Sequence, residues 1–198
     1  MKITKITTQQ KNSSRYSIFI DNKYSFSLSD IALLEAKLAI GQELTKEQVK
    51  DLEEKSELDK LYQRVLNLLY LRARSQYEIV TYLKKHQCPA PTIEIIVNKL
   101  SNSGLVNDLS FAKSWIENRQ LLRPSSKLKL IAELRAKGID KETIAGAFDS
   151  VDMNESTALL SVIEKKRKLT RFKDDEKLMQ YLIRQGFRYS DIKDAFRV

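Results

Sequence analysis

The stretch LIAELRAKGIDKETIAGAF, Leu130 to Phe148, decides how the rest of this chain is read. Leu130 and Leu134 stand one helical turn apart, Gly138 falls where a helix would end, and Ile139, Ile144 and Phe148 begin a new apolar face beyond it. The spacing predicts a helix, a glycine corner and a second helix, because residues three and four apart share a helix face and glycine accepts the left-handed backbone that closes one. The same pattern returns as Leu178, Leu182, Gly186, Phe187, Ile192 and Phe196, at a constant offset of 48 residues. A period of this length is the signature of stacked structural units.

A more divergent copy lies upstream, in which Leu83 stands for Leu134, Ile96 for Ile144 and Leu100 for Phe148. On this alignment its corner, KKHQCPAPT, holds three extra residues, and Pro89 and Pro91 replace the glycine as helix stop, since proline cannot continue a helix. Each copy follows another apolar-periodic segment: Leu58, Leu61, Val65 and Leu68 in the first, Phe111, Trp115 and Leu122 in the second, Leu159, Val162 and Ile163 in the third. The expected unit is therefore three helices, used over residues 58–107, 108–153 and 154–198. A unit of about 48 residues is marginal alone, and stacking covers the apolar side that it cannot cover itself. The fold class expected is mainly α: tandem three-helix repeats in an elongated, curved array, with a small N-terminal β element in residues 1–57.

In that N-terminal part, RYSIFIDNKYSFSL sets aromatic and β-branched residues on either side of Asp21 and Asn22, which accept the positive φ of a tight hairpin. About three strands are expected. Ser29 or Asp30 should cap a short helix, DIALLEAKL, closed by Gly41, and Thr45 with Gln48 forms a capping box for TKEQVKDLEEKSELDK, a charged and mostly solvated helix. Further along, Ser75, Thr92, Asp108 and Asn154 or Ser156 are the expected helix starts, with Gly104 and the Pro124–Ser125 pair as breaks.

The net charge of +9 is unevenly placed: residues 1–60 are neutral, whereas 61–155 carry +4 and 156–198 carry +5. A field of that sign concentrates polyanions and acidic protein surfaces. The basic block Lys165, Lys166, Arg167, Lys168, extended by Arg171 and Lys173, meets no acid before Asp174. Lys127, Lys129, Arg135 and Lys137 bracket the second corner, and Arg184 and Arg188 the third. These residues are candidates for contact with phosphate or an acidic surface, and simple solvation of a charged helix face is the alternative.

Catalysis and metal binding find little support. One histidine, His86, and one cysteine, Cys88, fall short of the roughly four ligands of structural zinc. No nucleophile elbow, phosphate-binding glycine loop or histidine–carboxylate set can be assembled from five glycines and one histidine. Asp174 and Asp175 read as the acidic first turn of a helix, and Trp115 with Phe111 as core rather than as a stacking platform for bases. A non-enzymatic protein without cofactor is expected. The single cysteine excludes an intrachain disulfide, no apolar run spans a membrane, and MKITKITTQQ lacks the apolar core of a signal peptide, so the expected location is the cytoplasm.

Three segments carry a family resemblance: YLRARSQYEIVTYLKKH in the first repeat, LVNDLSFAKSWIENR leading into the second, and LIAELRAKGIDKETIAGAF completing it, with YLIRQGF agreeing more loosely in the third. With the β-bearing start, these resemble the RecX family of bacterial recombination regulators, most closely from about Leu58 onward. The resemblance implies a regulator, expected as a monomer, that binds the RecA filament on single-stranded DNA, lies in its groove, and lowers ATP hydrolysis, strand exchange and coprotease activity. It also implies direct DNA contact by some members. The rival reading is a helical-repeat protein acting on DNA without RecA, because corners joining two helices serve both. A third is a purely structural scaffold.

Overall fold

The computed structural model describes residues 1–10 and 12–197, the side chain of Asn12 excepted. Two compact units divide the chain, Met1–Arg72 with Leu83–Asn98, and Ala73–Tyr82 with Lys99–Val198. Each is built by its own logic.

The first unit begins with strands β1 (Ile3–Gln9), β2 (Asn12–Ile20) and β3 (Lys23–Ser29), an antiparallel meander in the order β1-β2-β3. Asp21 and Asn22, with φ of 48° and 66°, make the two-residue turn between the Ile20 and Lys23 pair, as their residue types predict. Ile3, Ile18, Ile20, Phe26 and Leu28 line the buried face. Ser29 caps the short helix α1 (Asp30–Glu35) by accepting from the Ala32 N–H. Gly41 does not close that helix: α1 ends six residues earlier, with Lys37 in the left-handed region at φ 49°. Gly41, at φ 92°, instead turns the chain so that its N–H reaches the Ile3 carbonyl and Ile3 donates to Gln42.

Helix α2 (Lys46–Leu71) opens on the complete Thr45–Gln48 capping box and continues for 26 residues, straight across the position expected to separate N-terminal element from first repeat. Most of its N-terminal half is exposed as expected, but Val49, Leu52, Ser56 and Asp59 form a buried stripe at helical spacing. The polar pair on that stripe meets the free edge of β3. Ser56 donates to the Ser27 carbonyl at 2.7 Å, and Asp59 accepts from the Ser29 N–H and hydroxyl at 2.9 and 2.7 Å. Arg15 binds Asp59 at 3.0 Å and the Ser27 carbonyl at 2.9 Å. An edge strand, whose unpaired backbone groups invite association, is thereby closed.

Helices α3 (Gln76–Lys85) and α4 (Ala90–Asn102) have residues in both units. Their corner corrects three expectations. The helix stop is neither Pro89 nor Pro91 but Gln87, at φ 56°, with the Cys88 N–H bonded back to the Leu83 carbonyl at 3.1 Å. Pro89, not Thr92, precedes α4, its carbonyl accepting from Ile93 at 3.0 Å, and Pro91 is tolerated because the first turn leaves its N–H unused. The corner therefore has no insertion. Gln87 matches Gly138, and buried Ile93 and Val97 match Ile144 and Phe148, at a constant offset of 51, with α4 simply one turn longer.

The second unit holds α5 (Asp108–Leu122), α6 (Lys127–Ala136), α7 (Lys141–Ser150), α8 (Glu155–Arg167), α9 (Asp175–Arg184) and α10 (Tyr189–Ala195). Asn107, Ser126, Asp140, Asn154 and Asp174 cap the first five of these with their side chains. Leu130, Leu134, Ile139 and Ile144 lie in one core, and Leu178, Leu182, Phe187 and Ile192 occupy the same places in another. The offset of 48 also relates Phe111 to Leu159 and Trp115 to Ile163. Gly138 and Gly186, at φ 77° and 87°, sit in matching corners in which the next N–H returns to Leu134 and Leu182. Phe111 and Trp115 stack with centroids 5.8 Å apart, as a packing pair.

Candidate functional site

The basic residues singled out in the sequence separate once the chain is folded. Lys165, Lys166 and Arg167 form the last turn of α8 and Lys168 its C-cap, where positive charge suits the helix dipole. Arg167 pairs with Asp175 at 2.7 Å and lies 5.2 Å from the Phe196 ring, while Lys168 pairs with Glu164 at 3.2 Å. An acid absent from the linear run is thus supplied by the fold. Lys166 packs its ammonium 4.9 Å from the Tyr181 ring centroid, a contact that keeps the charge near an aromatic face.

Lys165 and Lys166 belong to a different setting. They line a cleft of about 410 Å³ together with Arg119, Arg123 and Lys129. The one carboxylate there, Glu133, accepts from Arg119 Nε and from the Trp115 indole N–H, both at 2.9 Å. Arg119 also covers Trp115 at 5.1 Å. Glu133 therefore fixes Arg119 and is balanced by it, leaving the remaining cations as the excess charge of the cleft. Lys129 is held by the Gln185 side-chain oxygen at 2.6 Å.

A second cleft, of about 580 Å³, lies in the last repeat and is lined by Arg171, Lys173, Lys177 and Arg184 beside Asp174. Arg123 and Arg171, and Lys129 and Lys177, are related by the offset of 48, so the two clefts share this pair of cations, while the first is also lined by Ser161, Val162, Lys165 and Lys166 of α8 and the second is not. Asp174 accepts from the N–H groups of Glu176 and Lys177, and these bonds, the Lys177 N–H foremost, hold its carboxyl below the usual range.

The other candidates do not join the clefts. Lys137 binds Glu78 at 2.6 Å and lies 5.3 Å from Trp115, Lys127 lies 4.9 Å from the Phe148 ring, and Arg135 and Arg188 are exposed elsewhere on the second unit. Arg119, Arg123 and Lys177 were not among the sequence candidates. The signal that finds them is the repeat offset applied to charged positions as well as apolar ones, since it maps Arg167, Arg171 and Lys177 onto Arg119, Arg123 and Lys129.

Burial pushes the Cys88 thiol up, away from the thiolate that a reactive cysteine needs. Among the described residues no group of three or more His, Cys, Asp or Glu side chains is placed to hold a metal ion, and no helix is long and apolar enough to cross a membrane.

The second unit thus carries three-helix repeats with two clefts lined by cations. Residues 1–45 match the regulatory protein RecX N-terminal domain, residues 62–100 the first RecX three-helix domain, and residues 107–147 the second. The chain is 32% identical over 198 residues to Regulatory protein RecX of Bacillus subtilis (strain 168), covering 98% of this chain and 75% of that one. It is 30% identical over 192 residues to Regulatory protein RecX of Listeria monocytogenes serotype 4a (strain HCC23), covering 94% and 71%. A crystal structure of regulatory protein RecX superposes with a TM-score of 0.74 at 27% identity over 98% of each chain. RecX from Lactobacillus salivarius shares the fold, with a TM-score of 0.61 at 23% identity over 71% of this chain and 94% of that one. The chain belongs to the RecX family of regulatory proteins.

Proposed function

We propose that this protein is a non-enzymatic regulator that binds the RecA filament on single-stranded DNA and lowers its ATPase, strand-exchange and coprotease activities. On this reading it acts as a monomer in the cytoplasm, without a cofactor. The observation that carries the reading is the repeated cation pair lining two clefts, Arg123 and Lys129 in one and Arg171 and Lys177 in the other, in a chain of the RecX family. A periodic surface suits a periodic partner, and positive charge steers it to a polyanion. Preference for one filament state over another then shifts the filament by the difference in affinity, so inhibition follows occupancy.

The deciding experiment is titration of this protein into a cognate RecA turning over ATP on single-stranded DNA. A turnover rate that falls with occupancy supports the reading, and an unchanged rate at saturating protein removes it. The cationic clefts also favour direct DNA contact, which is the second reading. The helices after the corners speak against base-specific recognition: α7 carries no Arg, Asn or Gln, and α10 carries none either. DNA affinity without RecA that falls steeply with salt, together with an unaffected RecA ATPase, would favour that second reading.

A further inference from the structure

The first helix of each repeat ends in the same way. Tyr70, Leu71 and Arg72 end α2, Leu121, Leu122 and Arg123 end α5, and Leu169, Thr170 and Arg171 follow α8, at offsets of 51 and 48. At the first two tips the apolar members are far more exposed than folding requires, Tyr70 90%, Leu71 74%, Leu121 81% and Leu122 74%, and at the third Leu169 is half exposed at 50%. A single exposed leucine needs no explanation. A large apolar residue left at least half in water at the same place in three successive repeats, each time with an exposed arginine one or two residues on, does.

The repeats' own packing does not use these side chains. In the second unit the cores close through Phe111, Ile116, Leu159 and Ile163, which lie further back on the same helices. Arg123 and Arg171 each line one of the two cationic clefts. Each tip therefore joins an aliphatic contact to a cation. At the second and third tips, whose apolar members are leucines, the polynucleotide is a poor match, because bases are gripped by aromatic stacking and phosphates by charge, and neither gives an aliphatic side chain a place to be buried. A protein surface supplies both parts, an apolar socket and carboxylates on its border.

We propose that these tips are protein-contact points, one per repeat, each seating on an acid-bordered apolar socket of one subunit of a partner built from identical subunits. This rests on the filament reading of function and assigns the tips to the filament's protein rather than to its DNA. Each tip is an independent contact, so the loss from changing two should multiply.

The test uses the full chain with Leu121→Ser and Leu122→Ser together, then with Leu169→Ser added, and Leu160→Ser as a control on α8 at 52% exposure. Co-sedimentation with RecA filaments on single-stranded DNA should show affinity falling about tenfold for the first tip and further for the second. The control should remain within about twofold, and anisotropy on naked single-stranded DNA should not change for any variant. Thermal melting checks that exposed-site changes leave the fold intact. Filament affinity unchanged with both tips altered overturns the inference, and so does a parallel loss of naked-DNA affinity. Loss of a self-associated form in the tip variants, with filament affinity kept, overturns it in favour of a second copy as occupant. Failure of the unaltered protein to bind the filament removes the proposed function and this inference with it, a result distinct from binding that survives the tip changes.

Discussion

Ser126 donates its hydroxyl to the backbone carbonyl of Gln185 at 2.6 Å, joining the start of α6 to the corner of the next repeat. Ser75 makes the same bond to Lys137 at 2.7 Å, one repeat earlier. Both serines are fully buried, and each also accepts an N–H from its own helix, Lys129 or Glu78, as an N-cap. The neighbouring backbone repeats too: Gln76 donates to Asp108 and Lys127 to Glu155, each at 2.8 Å. Burial pushes the Asp108 carboxyl up, while the Gln76 N–H pulls it down. One hydroxyl thus caps its helix and docks the next corner, so local capping and the stacking of repeats depend on the same atom.

Ser126→Ala should accordingly cost more than a lost cap. It removes the bond to Lys129 and strands the Gln185 carbonyl at a buried joint, for a loss of about 2–3 kcal/mol. Ser125→Ala, whose hydroxyl reaches only the Arg123 carbonyl nearby, should stay within about 0.5 kcal/mol. Denaturant titration of the two variants compares them, and equal midpoints would show that the joint carries no stability.

The corner residues predict a graded series. A Cβ on Gly138 would lie 2.3 Å from Tyr77 Cβ, an atom tied to its backbone, whereas on Gly186 the nearest atoms are Ser126 Oγ at 2.8 Å and Leu128 Cβ at 3.2 Å. Both alanine variants incur about 1 kcal/mol for the positive φ, and Gly138→Ala adds about 1–3 kcal/mol of overpacking. Gln87→Gly, which relieves a side chain in the left-handed position, should gain about 1 kcal/mol. The expected order of thermal midpoints is Gln87→Gly, unchanged protein, Gly186→Ala, Gly138→Ala.

The repeats were legible because apolar spacing and two glycines report directly on helix faces and corners. Leu134 and Leu182, matched in sequence by the offset of 48, are both fully buried in equivalent cores. The first corner misled because Pro89 and Pro91 are conspicuous, while Gln87 gives no sign that its backbone is left-handed. Sequence alone also treated the basic run as one patch. The chain reversal after α8 brings Asp175 to Arg167 and turns Lys165 toward Arg119 and Arg123 from another helix. Such pairings depend on tertiary placement, which residue order along one segment does not encode.

Asp59 was equally silent in the sequence, one acid in a charged helix. Buried with Arg15 and holding both polar atoms of Ser29, it is the anchor between α2 and the edge of β3. Asp59→Ala leaves a buried guanidinium and an unpaired strand N–H, and should destabilise the first unit by about 3–5 kcal/mol. Circular dichroism melts should show the loss, and a variant within about 0.5 kcal/mol of the unchanged protein would mean that Arg15 is satisfied by Ser27 alone.

Two helix caps set an acid sensitivity. The Thr143 hydroxyl and N–H hold the Asp140 carboxyl below its ordinary 3.8, and the Lys177 N–H does the same for Asp174. A carboxyl lowered in the folded state stabilises above its unfolded value and loses that contribution as pH falls through the folded one. Thermal midpoints should therefore drop as pH falls below about 4, and the Asp140→Asn, Asp174→Asn double variant should show a shallower drop. An identical pH profile for the variant would remove both caps from the acid response.

The fold makes the two halves of the basic block unequal, and charge reversal can expose it. Arg167 and Lys168 already face Asp175 and Glu164, whereas Lys165 shares its cleft with Arg123 and Lys129. If the cleft meets phosphates, Arg123→Glu with Lys129→Glu should weaken binding to single-stranded DNA and flatten its dependence on salt. The log-log slope should shrink by about 0.7 for every phosphate that the altered cleft no longer neutralises. Reversal at Arg167 and Lys168 should change that slope far less, because those cations are neutralised locally before any ligand arrives. Measured slopes that fall equally for both pairs would show that steering depends on total charge and not on the cleft, since a long-range field counts every cation alike.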